Sequence, residues 1–320
     1  MTRPSIQAER VDACKQGDEA RARELVSRLA AQPLEARRQL EAMLSEPDAL
    51  VRQAAAFGLG VLGGTTSVRR LEQQLVIEEA RGDHDGESVV EAITDALGRI
   101  EEASARAGLV RRLERLVAGK PDPGDVSTLA RKLWRRRHPE LLPVVRSSLE
   151  KLPAQSTRTL RGLLLLLEKS PGELEVWARD PSGPLEQKLG VVLLLEEDLP
   201  EALIPTLPSF CSAACALVEA AVRQEGEASK YCNRLFSLLI LNRERVLPTL
   251  PEESRSELRP LTRRLIAARS PDASLRAAVL LESIGLPEDA RLLEAHRPAE
   301  PVLAQVFDEA ARRLRGRPQA

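Results

Sequence analysis

Apolar residues along this chain recur at three- and four-residue intervals. In 46–63, EPDALVRQAAAFGLGVLG, Val51, Ala55, Gly58 and Leu62 fall on one face of a helix, with Leu50, Ala54 and Phe57 beside them. Pro47 suits the first helical turn and Asp48 places negative charge at the positive end of the helix dipole. Gly63 and Gly64 then end the helix. The same pattern returns in 86–100, where Val89, Ile93, Leu97 and Ile100 form the stripe and Gly98 sits late in the helix. It returns again in 270–285, SPDASLRAAVLLESIG. Further apolar helices are predicted over 138–150, 156–170, 182–198, 208–224 and 227–242, with prolines and short polar breaks between them. There is no convincing run of alternating apolar and polar residues, so the fold class expected is all-α.

GLGVLG, residues 58–63, also fits G-x-G-x-x-G, and Glu78 and Glu79 follow at about the interval of a ribose-binding acid. A dinucleotide site needs a buried strand before the glycines, and here Arg52, Gln53 and three alanines precede them in helical register. The glycines therefore belong to the last turns of a helix. Each weakens a helix interior by roughly 1 kcal/mol relative to alanine, which close approach of a neighbouring backbone offsets.

The stretches 46–63 and 270–285, and in part 86–100, resemble the second helix of a HEAT repeat, P-D-x-x-V-R-x-A-A-x-x-L-G-x-I-G. The copies at 46–63 and 86–100 lie about 40 residues apart, within the period of such repeats. Glu46 stands six residues before Arg52, where the family usually has Asp, and that pair commonly ties adjacent repeats. HPELLPVVRSSLE (138–150) resembles a first HEAT helix. The resemblance implies an α-α superhelix, a right-handed solenoid of helical pairs over 1–320, with a break or a longer loop at GKPDPG (119–124). It also implies that second helices line a concave side, which would present Arg52, Gln53, Glu91, Asp95, Arg276 and Glu282 to a partner.

Charge narrows the partner. Charged residues make up 30% of the 320 residues, yet 47 basic and 48 acidic residues leave a net charge of −1. Wholesale attraction to nucleic acid or anionic lipid is not built in. Aromatics are only 2%, less than an aromatic-lined pocket normally uses. The N-terminus has no apolar core of a secretory signal, and the longest apolar runs are too short to span a bilayer. With four cysteines and no disulfide-framework density, the expected compartment is the cytoplasm, without membrane insertion. The arginine-rich, lysine-poor composition hints at a GC-rich bacterial genome.

Candidate chemistry is sparse. His84, His138 and His296 form no metal motif, and the repeated His-Glu pairs of a HEAT-type di-iron hydroxylase are missing from the sequence. Cys211 and Cys215 share a helix face and Cys232 lies on the next helix. Three thiolates can begin a soft metal site, but the small apolar surroundings favour packing as hydrophobes. Asp83 and Asp85, in a polar loop over 81–88, lack the further acids of a calcium loop. In RKLWRRRH (131–138), Arg131, Lys132, Arg135 and Arg136 share one arc of a helix, opposite Val126, Leu129, Leu133 and Trp134. Arg111, Arg112 and Arg115 extend that basic arc if their helix is a neighbour.

The leading expectation is a non-catalytic protein–protein interaction scaffold without a cofactor, binding a protein or peptide through surface charges of mixed sign. The alternatives are nucleic-acid binding through the basic arc, as in the HEAT-like DNA glycosylases, or an accessory role like that of the bilin lyases, whose repeats resemble these.

Overall fold

A computed structural model describes residues 6–29, 33–119, 121–223, 226–268 and 270–316. The described residues contain helices and no strand, as the periodicity requires. They divide into two compact units, 1–152 and 153–320.

The first unit holds α1 (Ile6–Lys15), α2 (Glu19–Leu29), α3 (Pro33–Met43), α4 (Ala49–Leu62), α5 (Gly64–Arg81), α6 (His84–Arg99), α7 (Ala103–Ala118), α8 (Pro123–Arg135) and α9 (Leu141–Lys151). α4, α6 and α8 lie side by side in one layer, while α5, α7 and α9 form a second layer against them. α3 packs on α4, and so do both members of the α1–α2 hairpin. Asp48 is the N-cap of α4, accepting from the Leu50 amide at 2.8 Å, so Pro47 stands before the cap and not in the first turn. Gly63 ends α4 at φ 63° and is the one residue between it and α5.

Of the late-helix glycines, Gly60 meets a neighbouring backbone as expected, whereas Gly58 and Gly98 face the side chains of Leu40 and Lys132. A Cβ built on Gly60 would stand 2.8 Å from the Ala96 Cβ and 2.9 Å from its Cα, so α4 and α6 meet almost backbone to backbone. The polar loop expected over 81–88 is shorter than that. Only Gly82 and Asp83 separate α5 from α6, because the Asp83 carboxylate accepts from the Gly86 amide at 2.6 Å and starts the helix at His84. The 119–124 segment joins α7 to α8 inside the first unit. Asp122 caps α8 there with Pro123 in its first turn, and Lys120 lies outside the described residues.

The second unit contains α10 (Arg158–Glu168), α11 (Pro171–Arg179), α12 (Leu185–Glu197), α13 (Leu207–Cys215), α14 (Val218–Val222), α15 (Gly226–Leu241), α16 (Arg243–Val246), α17 (Glu252–Ile266), α18 (Pro271–Ile284), α19 (Asp289–Ala295) and α20 (Pro301–Arg315). Again there are two layers: α10, α12, α15, α18 and α20 in one, α11, α13, α17 and α19 in the other. Gly162 and Gly190 repeat the Gly60 device, since a Cβ on Gly162 would stand 2.6 Å from the Gly190 carbonyl carbon. The apolar stretch 208–224 is two helices and not one. α13 ends at Cys215 and the chain turns through Ala216 and Leu217 before α14, while Gln224 lies outside the described residues.

Candidate functional site

The neighbouring helices α6 and α8 bring Glu91, Asp95, Lys132 and Arg135 onto one polar face. Asp95 accepts ion pairs from Arg99 at 2.7 Å and Lys132 at 2.8 Å, with Arg135 at 4.0 Å. Partial burial works against its charge, yet Lys132, with Arg99 and Arg135, holds the carboxyl below its ordinary range. Glu91 is exposed one turn earlier. The Lys132 stem packs over Gly98, so this cation is fixed along its length.

Val126, Leu129, Leu133 and Trp134 are buried, and the Arg137 guanidinium lies 4.7 Å over the Trp134 ring. The arc opposite is therefore basic as read, with Arg131 half-buried and donating to Thr128 at 3.2 Å, and Arg136 half-buried at the C-cap. Its charge is not one-sided, because Asp95 stands in front of Lys132 and Arg135. The extension through α7 is neutralised as well. Arg111 pairs with Glu72 at 2.6 Å, Arg115 with Glu79 at 2.9 Å, and the buried Arg112 with Glu79 at 3.2 Å.

Arg52 requires a correction: it is 1% exposed and faces no solvent. Its guanidinium pairs with the buried Glu78 at 2.9 Å and donates to the Glu46 and Pro47 carbonyls at 2.9 and 2.6 Å. The tie expected between Arg52 and Glu46 thus runs through the backbone of Glu46, and Glu78 supplies the carboxylate. Gln53 is half-buried on the same helix. Glu78 also accepts from Gln74 at 2.6 Å and pairs with Arg81 at 3.1 Å. The two acids that follow GLGVLG therefore bind helices together, Glu78 towards α4 and Glu79 towards α7.

In the second unit, Arg276 is half-buried and donates to Ser237 at 3.0 Å, and Glu282 pairs with Arg313. Arg276 holds the place in α18 that Arg52 holds in α4, but its carboxylate, Asp272, is 3.9 Å away on the same helix.

The remaining candidates are also placed. Cys211 and Cys232 are buried, Cys215 is half-buried, and burial pushes the Cys215 and Cys232 thiols up to about 12. The Cys211 thiol is pushed further in the same direction. Such thiols stay protonated and pack as apolar groups. Among the described residues no three His, Cys, Asp or Glu side chains are grouped to hold a metal ion. His84 lines an open cleft of about 530 Å³ in the first unit with Glu87, Glu91 and Asp125. His138 lies 3.3 Å from the Glu140 carboxylate, before α9, and His296 caps the end of α19.

No helix of the described residues is long and apolar enough to cross a membrane. No family model matches the chain, and no curated protein matches it. Among solved structures, the chain resembles the crystal structure of an engineered protein, at a TM-score of 0.39 and 14% identity, over 97% of this chain and 88% of that one.

Proposed function

We propose that the protein is a non-catalytic interaction scaffold of the HEAT type, acting in a bacterial cytoplasm on a protein or peptide partner. The observation that carries this reading is the α6–α8 face. Carboxylates and cations from two adjacent helices alternate across it, locked by Lys132–Asp95 and by the close packing of α4 on α6. A rigid surface of mixed sign selects a partner with a complementary pattern rather than a uniform polyanion. The free cysteines suit a reducing compartment, and the excess of arginine over lysine suits a GC-rich bacterial genome. Nucleic-acid binding is the weaker reading, because Lys132, Arg135, Arg111 and Arg115 each face a carboxylate of this chain.

The test is affinity capture from native extract with the wild type, with the double variant Glu91→Lys/Arg135→Glu, and with Arg69→Glu, which changes an exposed site on α5. A partner retained by wild type and Arg69→Glu but lost by the double variant supports the scaffold. Capture unchanged by the double variant, with its helical circular dichroism intact, overturns it.

A further inference from the structure

A cleft of about 350 Å³ lies in the second unit where the segment after α15 meets α17, α18 and α20, and arginines from three different segments line it. Arg243 pairs through Nε with the adjacent Glu244 at 3.2 Å, and its two terminal nitrogens make no hydrogen bond among the described residues. Arg313 is engaged through Nη1 by Glu282 and through Nε by Glu309, which leaves Nη2. Arg255 differs from both. Its Nη2 donates to the Leu247 and Pro248 carbonyls at 2.7 and 3.3 Å, its buried Nε has no partner, and its nearest carboxylate, Glu252, is 4.0 Å away. Backbone carbonyls thus orient the Arg255 fork, and its carboxylate partner Glu252 stands at the long limit of an ion pair.

Three guanidiniums and two carboxylates, Glu244 and Glu282, line the cleft, and Glu309 and Glu252 reach Arg313 and Arg255 from beside it. Both lining carboxylates are already engaged by Arg243 and Arg313. Unspent N–H donors of three planar forks around one volume suit a compact group with several acceptor oxygens. The Ser283 hydroxyl and the apolar wall of Leu247 and Pro248 complete the lining. We propose that this cleft binds a phosphoryl group, free or carried on a peptide. The inference does not depend on the scaffold reading and stands even where capture returns no protein.

The test is calorimetric titration of the full chain at low ionic strength with inorganic pyrophosphate and, separately, with a phosphoserine peptide. Saturable binding of either is expected, and the arm that binds more tightly identifies the source. Arg255→Gln should weaken it by about tenfold or more, the scale of one lost charge-assisted hydrogen bond. Arg243→Gln, at a half-exposed site paired only with its neighbour, should weaken it with the fold intact. Glu244→Gln should tighten binding by releasing Arg243, a gain that misfolding cannot mimic. Arg69→Gln should change nothing. No saturable binding in either arm overturns the proposal. So does a loss in Arg69→Gln equal to that in Arg243→Gln, or a Glu244→Gln affinity no tighter than wild type.

Discussion

Replacing Glu78 by Gln tests whether the α4–α5 pair is held by its buried charges. The Glu78 carboxylate is fully buried and receives Arg52 at 2.9 Å, Gln74 at 2.6 Å and Arg81 at 3.1 Å. Breaking a buried ion pair by removing one partner costs about 3–5 kcal/mol, because the other charge is left uncompensated. Here Arg52 keeps its bonds to the Glu46 and Pro47 carbonyls, and the new amide keeps one acceptor oxygen. The lower end, about 3 kcal/mol, is therefore expected. The two units make a single denaturant midpoint ambiguous, so native-state amide exchange over α4 and α5 is the assay. A loss of 3 kcal/mol accelerates exchange there by roughly a hundredfold. The double variant Arg52→Met/Glu78→Leu removes both charges and should fall within about 1 kcal/mol of wild type. Acceleration of less than about tenfold in Glu78→Gln refutes the reasoning on this scale. A double variant that exchanges faster than both single variants refutes it as well.

Gly60→Ala forces a Cβ to within 2.8 Å of the Ala96 Cβ, and overpacking of this kind lowers stability by about 1–3 kcal/mol despite alanine's better helix propensity. Thermal melts should register that loss, and Ala96→Gly in the same background should recover part of it. Asp95 has a folded pKa below its unfolded one, so its contribution is present above the unfolded carboxylate pKa and is lost as pH falls through the folded value. Acid titration of stability should therefore find wild type and Asp95→Asn furthest apart near neutrality and converging on acidification; a gap that does not depend on pH contradicts the sign. With the Cys215 and Cys232 thiols near 12, a thiol reagent at mildly alkaline pH should label these sites only after denaturant is added. Rapid native labelling of Cys232 would show that the α13–α15 packing is wrong.

How much of this was legible in the sequence follows from which interactions are local. The stripe Val89–Ile93–Leu97, the burial of Trp134 opposite a basic arc and the role of Gly60 all follow from periodicity within one helix. The fate of Arg52 does not. Its position among alanines is equally consistent with solvent or with a carboxylate, and that carboxylate, Glu78, lies 26 residues on in a helix whose register against α4 the sequence leaves open. The split of 208–224 was illegible for a different reason, since Ala216 and Leu217 carry no glycine or proline to mark the turn. One overlooked signal was readable. Leu199-Pro200 and Leu286-Pro287 each follow the helix of one layer and precede that of the other, Leu250-Pro251 stands between the short α16 and α17, and Leu199 and Leu250 are buried. Proline there ends one helix while the leucine anchors the connection. The arginine cleft had no local signature, because Arg243, Arg255 and Arg313 meet only through the packing of α17, α18 and α20.

Net charge and helix-face charge are poor guides to function in such a chain, for a physical reason. Arginines in both units reach a carboxylate on another helix: Arg52 to Glu78, Arg111 to Glu72, Arg158 to Glu227, Arg234 to Glu196, Arg263 to Asp289. The exposed pairs among these add little stability, about 0–1 kcal/mol each, but they fix which helix faces which. A repeat array that aligns helices by Arg–carboxylate ties requires nearly equal numbers of the two signs, which 47 basic and 48 acidic residues supply. On the scaffold reading proposed above, partner recognition would fall to the charges that this pairing does not consume. On the α6–α8 face the exposed Glu91 makes no ion pair among the described residues, and in the second unit Arg255 is held mainly by carbonyls, with Glu252 no nearer than 4.0 Å. It is the departures from pairing, rather than the density of charge, that separate a binding surface from the scaffold that carries it.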